Sequence, residues 1–531
     1  MDEAVEELRA AYDAVPYESH AFPQTAPGHL AAIAYLFGLD PVDVPTARVL
    51  EIGCAAGGNL IPFAALHPEA HVVGIDLSSV QVGHGQRRIR AFGLRNLELV
   101  QGDIAAMDLA DLGQFDFIIC HGVYSWVPPN VQEAILSAFD TALAPNGVAY
   151  VSYNVYPGWK SKEIVRDAML LRAGDRTTPE EKLDYARGMI AFFEGVAPAD
   201  SVVAKAIAEY RTISDVSRDS YILHEYLESF NSPCYFLDFG KRTEPYRLTY
   251  LGDSTIQTMF ARNYGKQIAE PLLQECGHSQ VLVEQYLDFF RNRAFRQTLL
   301  VHGDLAPQVT YNPDRARFAR LHLAAFLPPA DGEPRLDGST QEYGSANFAT
   351  QNPVFKAALA ALTDRWPWTL SRAELLNSVY SQLDSVGQEM PADLESVIDQ
   401  LIEQLVLGGA ARFRLDALVP PPTAVPLRLD QAIRRTAEVA RDDKQSHIFN
   451  LWHETVWVTP VDVHILPLLD GTRDREALVK EVLSAVDQGL IGFARDGQQV
   501  STDAQLQAAA AEYIDGLPRR LAEMKLARLE D

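Results

Sequence analysis

Three carboxylates follow three successive apolar runs in the first part of the chain. Glu51, Asp76 and Asp103 each lie at or just after a short run of the kind that forms a buried strand. In a parallel sheet such strand ends meet at one edge, where carboxylates can bind an amine, a pair of ribose hydroxyls or an adenine amino group. The set therefore predicts a ligand that carries all three groups, and S-adenosylmethionine (SAM) is such a ligand.

The first of these carboxylates precedes a turn of small residues between a predicted strand and a predicted helix. Residues 48–59 read Arg-Val-Leu-Glu-Ile-Gly-Cys-Ala-Ala-Gly-Gly-Asn. Small residues let the backbone approach a ligand closely, and the spacing also fits a dinucleotide fingerprint. Glu51 suits the ammonium group of SAM but would sit poorly beside a pyrophosphate, so we favour SAM, with S-adenosylhomocysteine (SAH) as product. The predicted cofactor contacts are Glu51, Gly53, Cys54, Ala55, Gly57, Asn59, Asp76, Leu77, Asp103, Ile104 and His121.

Two loops rich in aromatic residues follow the fourth and fifth predicted strands. They read Cys-His-Gly-Val-Tyr-Ser-Trp-Val (120–127) and Asn-Val-Tyr-Pro-Gly-Trp (154–159). Methyl transfer is an in-line displacement that depends on positioning and on exclusion of water, and such loops would supply both. The alternative is that the histidine is structural and that the second loop only packs on the next helix. The predicted catalytic residues are His121, Tyr124 and Tyr156, and the predicted substrate-binding residues are Trp126, Asn154 and Trp159.

If the methyl acceptor is an amine, the two aromatic loops must also favour its deprotonated form. A lysine must be neutral to accept a methyl group, and its deprotonation at pH 7 costs ~4–5 kcal/mol unless the site removes it from water. An aromatic channel lowers that cost, and a tyrosine or histidine acting through water could take the proton. For this reason Tyr124 and Tyr156 are preferred to an acidic residue on the acceptor side.

A doubly wound α/β sheet would bring these loops together. The strands are predicted at 47–53, 71–76, 97–101, 115–120 and 147–153, and the helices at 58–67, 78–92 and 130–144. Apolar strands that alternate with helices predict a parallel sheet covered on both faces. The fold class is therefore α/β, a Rossmann-like methyltransferase domain followed by an α+β domain and by mostly helical, winged-helix-like domains.

The length of the chain, 531 residues, requires several cores. The predicted divisions are a helical extension (1–46), the SAM-binding domain (47–170), a middle domain (171–302), a connector (303–351), a winged-helix-like domain (352–419) and a C-terminal helical domain (427–531). In the extension, Tyr12, Tyr17 and Phe22 could close over the cofactor or could simply pack the segment onto the core.

The charge, the cysteines and the apolar runs of the chain limit the partners and sites that it could have. The net charge is −25, and an acidic surface repels phosphate backbones, so no nucleic-acid partner is expected. The four cysteines are far apart, which favours neither a zinc site nor a disulfide framework. There is no hydrophobic leader and no run of ~18 apolar residues. We therefore expect a cytoplasmic protein without membrane insertion and without a metal site, and a homodimer is one arrangement that stays open.

The three motifs together resemble bacterial class I methyltransferases that carry a methyltransferase regulatory domain, and in particular the rickettsial protein-lysine methyltransferases. The similarity spans roughly residues 12–300 and includes Tyr-Ile-Leu-His-Glu-Tyr-Leu-Glu (221–228) and Phe-Arg-Asn-Arg-x-Phe-Arg-Gln-Thr-Leu-Leu (290–300). It implies a SAM donor, a lysine acceptor on a protein, and a middle domain that shapes the substrate cleft. The rickettsial enzymes act on a surface protein, which makes such a protein a candidate acceptor.

Two other functions fit part of the pattern. One is a methyltransferase that acts on a small molecule. The other is a SAM-binding regulator whose winged-helix-like segment binds DNA, but the predicted recognition helix at 392–405 is strongly acidic, so phosphate contact there would be repulsive.

Overall fold

The structure of the protein is a computed structural model that describes most of the chain. The residues outside its description are 1–2, 15–18, 41, 175, 177, 215–218, 278, 345–347, 421–425, 496–497, 500–501 and 527–531. Tyr17 of the predicted extension and most of the linker between the two last predicted domains fall among them.

A seven-stranded sheet forms the centre of the fold and confirms the predicted doubly wound α/β class. Its strands are β1 (Arg48–Ile52), β2 (His71–Asp76), β3 (Leu97–Gln101), β4 (Phe115–Cys120), β5 (Leu143–Asn154), β6 (Leu248–Asp253) and β7 (Phe295–His302). Their order is β3-β2-β1-β4-β5-β7-β6; β1 to β5 are parallel, whereas β7 is antiparallel to β5 and to β6. The order reverses between β1 and β4, the point at which such sheets bind ligands.

Helices cover both faces because the central strands are apolar on both sides. In β1, Leu50 and Ile52 pack in one core with Ile135, and Val49 packs in the opposite core with Phe63. The helices of this part are α1 (Glu3–Ala14), α2 (Pro27–Leu36), α3 (Leu60–Leu66), α4 (Ser79–Phe92) and α5 (Pro129–Ala142). β5 begins earlier than predicted, because Leu143 already pairs with Phe115.

The predicted boundary at residue 170 does not separate two cores. The segment after it supplies β6 and β7, which extend the methyltransferase sheet. β7 is hard to recognise in the sequence because it carries Arg296, which is buried and paired with Glu284 at 3.0 Å and Asp288 at 2.8 Å. The helices here are α6 (Trp159–Ala173), α7 (Pro179–Val196), α8 (Val202–Ser214), α9 (Asp219–Tyr226), α10 (Phe236–Thr243), α11 (Lys266–Cys276) and α12 (Gln280–Arg291).

The predicted connector at 303–351 also belongs to a folded unit. It contains α13 (Arg315–Phe318), β8 (His322–Ala324), β9 (Gln341–Tyr343) and β10 (Phe348–Thr350), and the elements after it are α14 (Pro353–Arg365), β11 (Leu370–Ser371), α15 (Arg372–Ser385), α16 (Leu394–Leu407) and β12 (Arg412–Arg414). β8 lies between β11 and β12 in one small sheet, so the three-helix, winged-helix-like unit starts before residue 352.

The C-terminal part contains helices and two short hairpins. Its elements are α17 (Gln431–Asp442), β13 (His447–Phe449), β14 (Thr455–Trp457), α18 (Pro460–Ile465), α19 (Arg475–Asp487), β15 (Ala494–Arg495), β16 (Gln498–Gln499), α20 (Asp503–Asp515) and α21 (Leu517–Glu523). The hairpin of β13 and β14, residues 447–457, is called the C-terminal hairpin below. It contacts the start of the chain, where the amide of Ala21 donates to Oγ1 of Thr455 at 3.0 Å.

Candidate functional site

A cavity of about 460 Å³ opens at the carboxyl ends of β1 to β4 and is called the central cavity below. It lies where the strand order reverses. Most of the predicted site residues line it, although they come from separate parts of the sequence. Those that do are Glu51, Gly53, Cys54, Ala55, Asn59, Asp76, Leu77, Asp103, Ile104, His121, Trp126, Asn154 and Trp159.

The turn from β1 to α3 requires residues with little or no side chain. Gly53 has a φ of +77°, and a Cβ there would lie 2.3 Å from Cγ2 of Val123. Ala55 has a φ of +48°, a left-handed conformation that costs an L-residue about 1–2 kcal/mol. Asp76 helps to hold it, because Oδ2 of Asp76 accepts the amide of Ala55 at 2.7 Å. The end of β2 therefore fixes the shape of the turn that faces the ligand.

Both carboxylate oxygens of Asp76 can accept a further hydrogen bond from a ligand. Its Oδ1 accepts the amide of Ser78 at 2.8 Å, so each oxygen has one backbone partner and a further lone pair. Burial raises the pKa of Asp76, although the bonds from Ser78 and Ala55 oppose that shift. Asp103 and Ile104 line the cavity beyond it, where the third strand ends. This order is compatible with ribose hydroxyls at Asp76 and an adenine beside Asp103.

Glu51 has one oxygen that is bonded and one that lacks a partner. Its Oε1 accepts from Nδ2 of Asn59 at 2.8 Å, whereas Oε2 is buried and has no hydrogen-bond partner among the described residues. Burial raises the pKa of Glu51 to about 8, and the bond from Asn59 opposes this rise. An unsatisfied buried oxygen costs about 1–3 kcal/mol, more when it is charged. A cationic amine at Oε2 would remove that cost, so the residues present fit the ammonium group of SAM.

His121 forms a polar but uncharged part of the wall. Its Nδ1 lies 3.0 Å from Oη of Tyr150 and 3.1 Å from Oγ of Ser152. Burial lowers the pKa of His121 to about 4, so the imidazole is neutral at pH 7. Its ring also lies 4.3 Å from that of Phe22, centroid to centroid. His121 can orient a group by hydrogen bonding, but it is a weak base.

The other end of the cavity, called the aromatic end, is formed by Trp126, Asn154, Trp159, Lys162 and Glu225. The two indole rings meet edge to face at 5.8 Å. Nζ of Lys162 lies 4.9 Å from the centre of the Trp159 ring and 3.1 Å from Oε1 of Glu225. This end therefore already holds an ammonium group between an aromatic face and a carboxylate.

Asn154 links the end of β5 to its neighbours. Its backbone amide donates to Oγ of Ser125 at 2.8 Å, and its side-chain Nδ2 donates to Oδ1 of Asn231 at 2.9 Å. The first bond joins the end of β5 to the aromatic loop that precedes α5, and the second joins it to the segment before α10. The position of Trp126 in the cavity wall depends on this packing.

Three predicted site residues do not line the cavity. Tyr124 is buried in the core, where its ring packs edge to face against Phe239 at 5.5 Å and burial raises its pKa to about 12. Tyr156 points away and donates its hydroxyl to Oε1 of Glu163 at 2.6 Å. Gly57 does not line the cavity either, and a Cβ there would lie 3.1 Å from Cδ1 of Leu99. The predicted catalytic roles of the two tyrosines are corrected here, because an aromatic loop pattern does not show which rings face inward.

A segment near the start of the chain, residues 19–25, forms a further wall of the cavity. The amide of Gly58 donates to Oγ of Ser19 at 2.7 Å, and a Cβ on Gly58 would lie 2.3 Å from the carbonyl oxygen of Ser19. Tyr12 and Phe22 of the predicted extension line the cavity, and a role for them in closing over the cofactor stays a prediction. Lining residues from this part of the chain are Tyr12, Ser19, His20 and Phe22.

Sequence reasoning did not identify several residues that line the central cavity. Lys162 lies one helical turn after Trp159 on α6, and Tyr221, His224 and Glu225 share one face of α9. The helical spacing of Tyr221 and Glu225 was a usable signal, but nothing in the sequence places α9 over the sheet.

The described residues contain neither a membrane-spanning helix nor a metal site. Among the described residues, no helix is long and apolar enough to cross a membrane. No group of three or more His, Cys, Asp or Glu residues there is arranged to hold a metal ion. The four cysteines are buried and free.

Three family models match successive parts of the chain. A methyltransferase domain matches residues 49–147, a predicted methyltransferase regulatory domain matches 218–302, and "PKMT, C-terminal winged helix domain" matches 431–526. The last match falls on the segment that the sequence predicted only as helical. The described residues of this segment form five helices, α17 to α21, and the β15–β16 hairpin follows the third of them in the place of a wing.

Whole-length similarity extends this result. The uncharacterised protein RP789 of Rickettsia prowazekii is 31% identical over 512 residues, 93% of this chain and 90% of that protein. RP028 of the same organism is 36% identical over 45% of this chain and 97% of its own length. The solved structure of PKMT2 from Rickettsia typhi in complex with AdoHcy has a TM-score of 0.83 at 27% identity, and covers 96% of this chain and 99% of that one.

Proposed function

Since the chain belongs to the bacterial class I SAM-dependent methyltransferases that carry a methyltransferase regulatory domain, we propose that it methylates the side-chain nitrogen of a lysine in a protein. SAM supplies an electrophilic methyl group, and SAH is the product. Two relations support a protein acceptor: the match to the PKMT winged-helix model and the similarity to a rickettsial PKMT, a name that stands for protein-lysine methyltransferase.

The observation that carries the lysine assignment is the ammonium group already held at the aromatic end. Lys162 places its Nζ over Trp159 and beside Glu225, and the two charged side chains are only 14% and 19% exposed. A substrate lysine that enters this end meets the same aromatic face and competes with Lys162 for Glu225. The cavity therefore has the chemistry that selects an amine on a flexible apolar stem.

The cofactor would lie across the strand ends. In this proposal Oε2 of Glu51 accepts the ammonium group of SAM, Asp76 accepts from the ribose hydroxyls, and Asp103 with Ile104 borders the adenine. The turn at Gly53 and Ala55 lets the backbone approach the amino-acid part. The methyl group then faces His121 and the aromatic end.

The chain's own residues would act mainly by position. Burial between Trp126 and Trp159 removes the acceptor amine from water, which lowers the ~4–5 kcal/mol needed to deprotonate it at pH 7. The amine lone pair forms the new N–C bond as the S–C bond breaks and its electron pair stays on sulfur. The proton that the amine loses passes to solvent, since neutral His121 has too low a pKa, about 4, to hold it.

The finer parts of the proposal concern the acceptor and the setting. The similarity to rickettsial enzymes makes a surface protein the first substrate to assay. Action in the cytoplasm and assembly as a homodimer remain predictions.

A labelling experiment tests whether the acceptor is a protein. Purified enzyme and methyl-labelled SAM are added to a bacterial lysate, and protein is separated from small molecules before counting. The proposal expects enzyme-dependent label in protein. Label that appears only in the small-molecule fraction would instead support a methyltransferase for metabolites.

Two variants at the aromatic end should act in opposite directions. Glu225→Gln weakens ammonium binding and should raise KM for the protein acceptor about fivefold, whereas Lys162→Met frees Glu225 and should lower it by a similar factor. The Kd of SAM should not change in either. The matched control is Asp219→Asn, since this carboxylate begins the same helix but pairs with Arg187 on α7 and does not line the cavity. If both variants shift KM in the same direction, the recognition role of Glu225 is wrong.

A further inference from the structure

One residue of the C-terminal hairpin reaches the SAM-binding motif. Nε2 of His453 lies 2.9 Å from Oδ1 of Asn59, although the two residues are 394 positions apart. Asn59 follows the small-residue turn and lines the central cavity. His453 itself lines a second cavity of about 290 Å³ behind it. The hydrogen bond between them thus forms part of the wall that separates the two cavities.

Both Oδ1 and Nδ2 of the Asn59 side chain form hydrogen bonds. Its Oδ1 accepts from the amide of Phe22 at 3.0 Å and from His453, while its Nδ2 donates to Oε1 of Glu51 at 2.8 Å and to Oγ1 of Thr25 at 2.9 Å. An amide oxygen can only accept, so His453 must carry its proton on Nε2. If the amide rotated by half a turn, its oxygen would face the Glu51 carboxylate and its NH₂ group would face two donors.

Because Asn59 and His453 are both buried, their polar atoms must form hydrogen bonds with other protein groups rather than with bulk water. Asn59 is 4% exposed and His453 is 6% exposed. His453 also has a φ of +58°, a conformation that is uncommon for a residue with a side chain. The pKa of His453 is lowered to about 4 by burial, so the imidazole stays neutral and keeps one donor nitrogen and one acceptor nitrogen.

We propose that His453 is a positioning residue for the amino-acid end of SAM. By donating to Oδ1 of Asn59, it holds the Asn59 amide so that Nδ2 occupies Oε1 of Glu51 and leaves Oε2 for the ligand ammonium. The C-terminal domain thereby becomes part of the cofactor site without touching the cofactor. The proposal rests on the role proposed above for Glu51 and does not depend on the methyl acceptor.

The effect should be confined to ligands that carry the ammonium group. The amide of Phe22 also orients Asn59, so loss of His453 weakens the arrangement without abolishing it. We expect up to about a tenfold increase in Kd for SAH, which corresponds to the upper end of the range for one hydrogen bond between neutral groups. 5′-Methylthioadenosine keeps the adenine, the ribose and the sulfur but has no amino-acid part, and its Kd should change less than twofold.

The experiment measures both Kd values by calorimetry for the full-length chain. His453→Asn suits the positive φ but is too short to reach Asn59, and His453→Phe keeps a ring without a donor, so either folded variant suffices. His453→Gln restores a donor and should recover most of the affinity for SAH. Trp452→Phe is the matched control, because it removes a hydrogen bond of the same hairpin, to the carbonyl of Pro367 at 2.9 Å, that does not face Asn59.

Each outcome decides the proposal. Equal weakening of both ligands would mean general loosening of the cavity and would overturn it, as would unchanged binding of SAH. Glu51→Gln is measured in parallel. If that variant binds SAH as well as the wild type does, the assignment of Glu51 fails and the role of His453 fails with it; if only the His453 variants bind normally, the assignment of Glu51 stands and the positioning role is wrong.

Discussion

The affinity for SAM should depend on pH through Glu51. The productive pair is an ionised Glu51 with a protonated ligand amine, and burial raises the pKa of Glu51 to about 8 in the ligand-free protein. Below that value the carboxyl group must lose a proton before it can bind the ammonium group. Above it the ligand amine, with an ordinary pKa of ~7.7–8.0, begins to lose its own proton. The affinity should therefore be greatest close to pH 8 and fall on either side.

The size of the effect follows from the two titrations. With the pKa of Glu51 at about 8, roughly 1% of the carboxyl groups are ionised at pH 6 and half at pH 8. After correction for the ligand amine, which is less than half protonated at pH 8, the fraction of productive pairs rises about 20-fold from pH 6 to pH 8. The Kd of SAM should fall by about the same factor, with close to one proton released per ligand bound at pH 6.5.

Isothermal calorimetry in two buffers of different ionisation enthalpy measures both quantities. Glu51→Gln should bind SAM more weakly at pH 8 and should lose the increase in affinity between pH 6 and pH 8. 5′-Methylthioadenosine should show little pH dependence with the wild-type chain. A Kd for SAM that is constant from pH 6 to pH 8, or an equal slope in Glu51→Gln, would refute the reasoning.

Three further outcomes are expected. Glu51→Gln should raise the free energy of unfolding of the ligand-free protein by about 3 kcal/mol at pH 7, because a carboxyl pKa raised from 4.5 to about 8 makes wild-type stability fall as pH rises across that range. Urea unfolding at pH 5 and pH 8 should therefore show a larger fall in stability for the wild type than for Glu51→Gln. Ala55→Gly should raise the free energy of unfolding by up to about 1 kcal/mol in thermal scans, since φ is +48° there, with the Kd of SAM within twofold of wild type. Tyr124→Phe keeps the ring that packs against Phe239, so it should change the free energy of unfolding by no more than about 1 kcal/mol and keep kcat within twofold. A hundredfold loss of kcat would restore the catalytic role predicted from the sequence.

The cofactor half of the site could be predicted because it follows from strand ends. In a parallel sheet the residues after each strand share one edge, so Glu51, Asp76 and Asp103 could be placed together without knowledge of contacts. The turn between Gly53 and Asn59 added the required close approach of backbone. Local spacing contains that information, and the structure places these residues in one cavity.

The acceptor half depends on orientation and long-range packing, which spacing does not encode. Tyr124 and Trp126 belong to one short 3₁₀ turn, yet the first packs in the core and the second lines the cavity. Glu225 reaches the site only because α9 packs beside α6. The hydrogen bond from His453 to Asn59 joins residues 394 positions apart, and no local sequence pattern predicts it.

The middle of the fold was harder to divide for a similar reason. β7 carries a fully buried Arg296, whose charge is neutralised by Glu284 and Asp288 on α12. A charged residue in a strand breaks the apolar pattern that predicts one. The sequence pattern therefore places the antiparallel extension of the sheet in a separate domain.

The most direct test of the central claim identifies the amino acid that receives the methyl group. Purified enzyme, trideuteromethyl SAM and a lysate enriched in surface proteins are incubated together, and the proteins are digested and sequenced by tandem mass spectrometry. The proposed function predicts trideuteromethyl groups on lysine side chains, at a level that falls in Glu225→Gln. Label confined to metabolites, or to other amino acids while lysine stays unmodified, would contradict it.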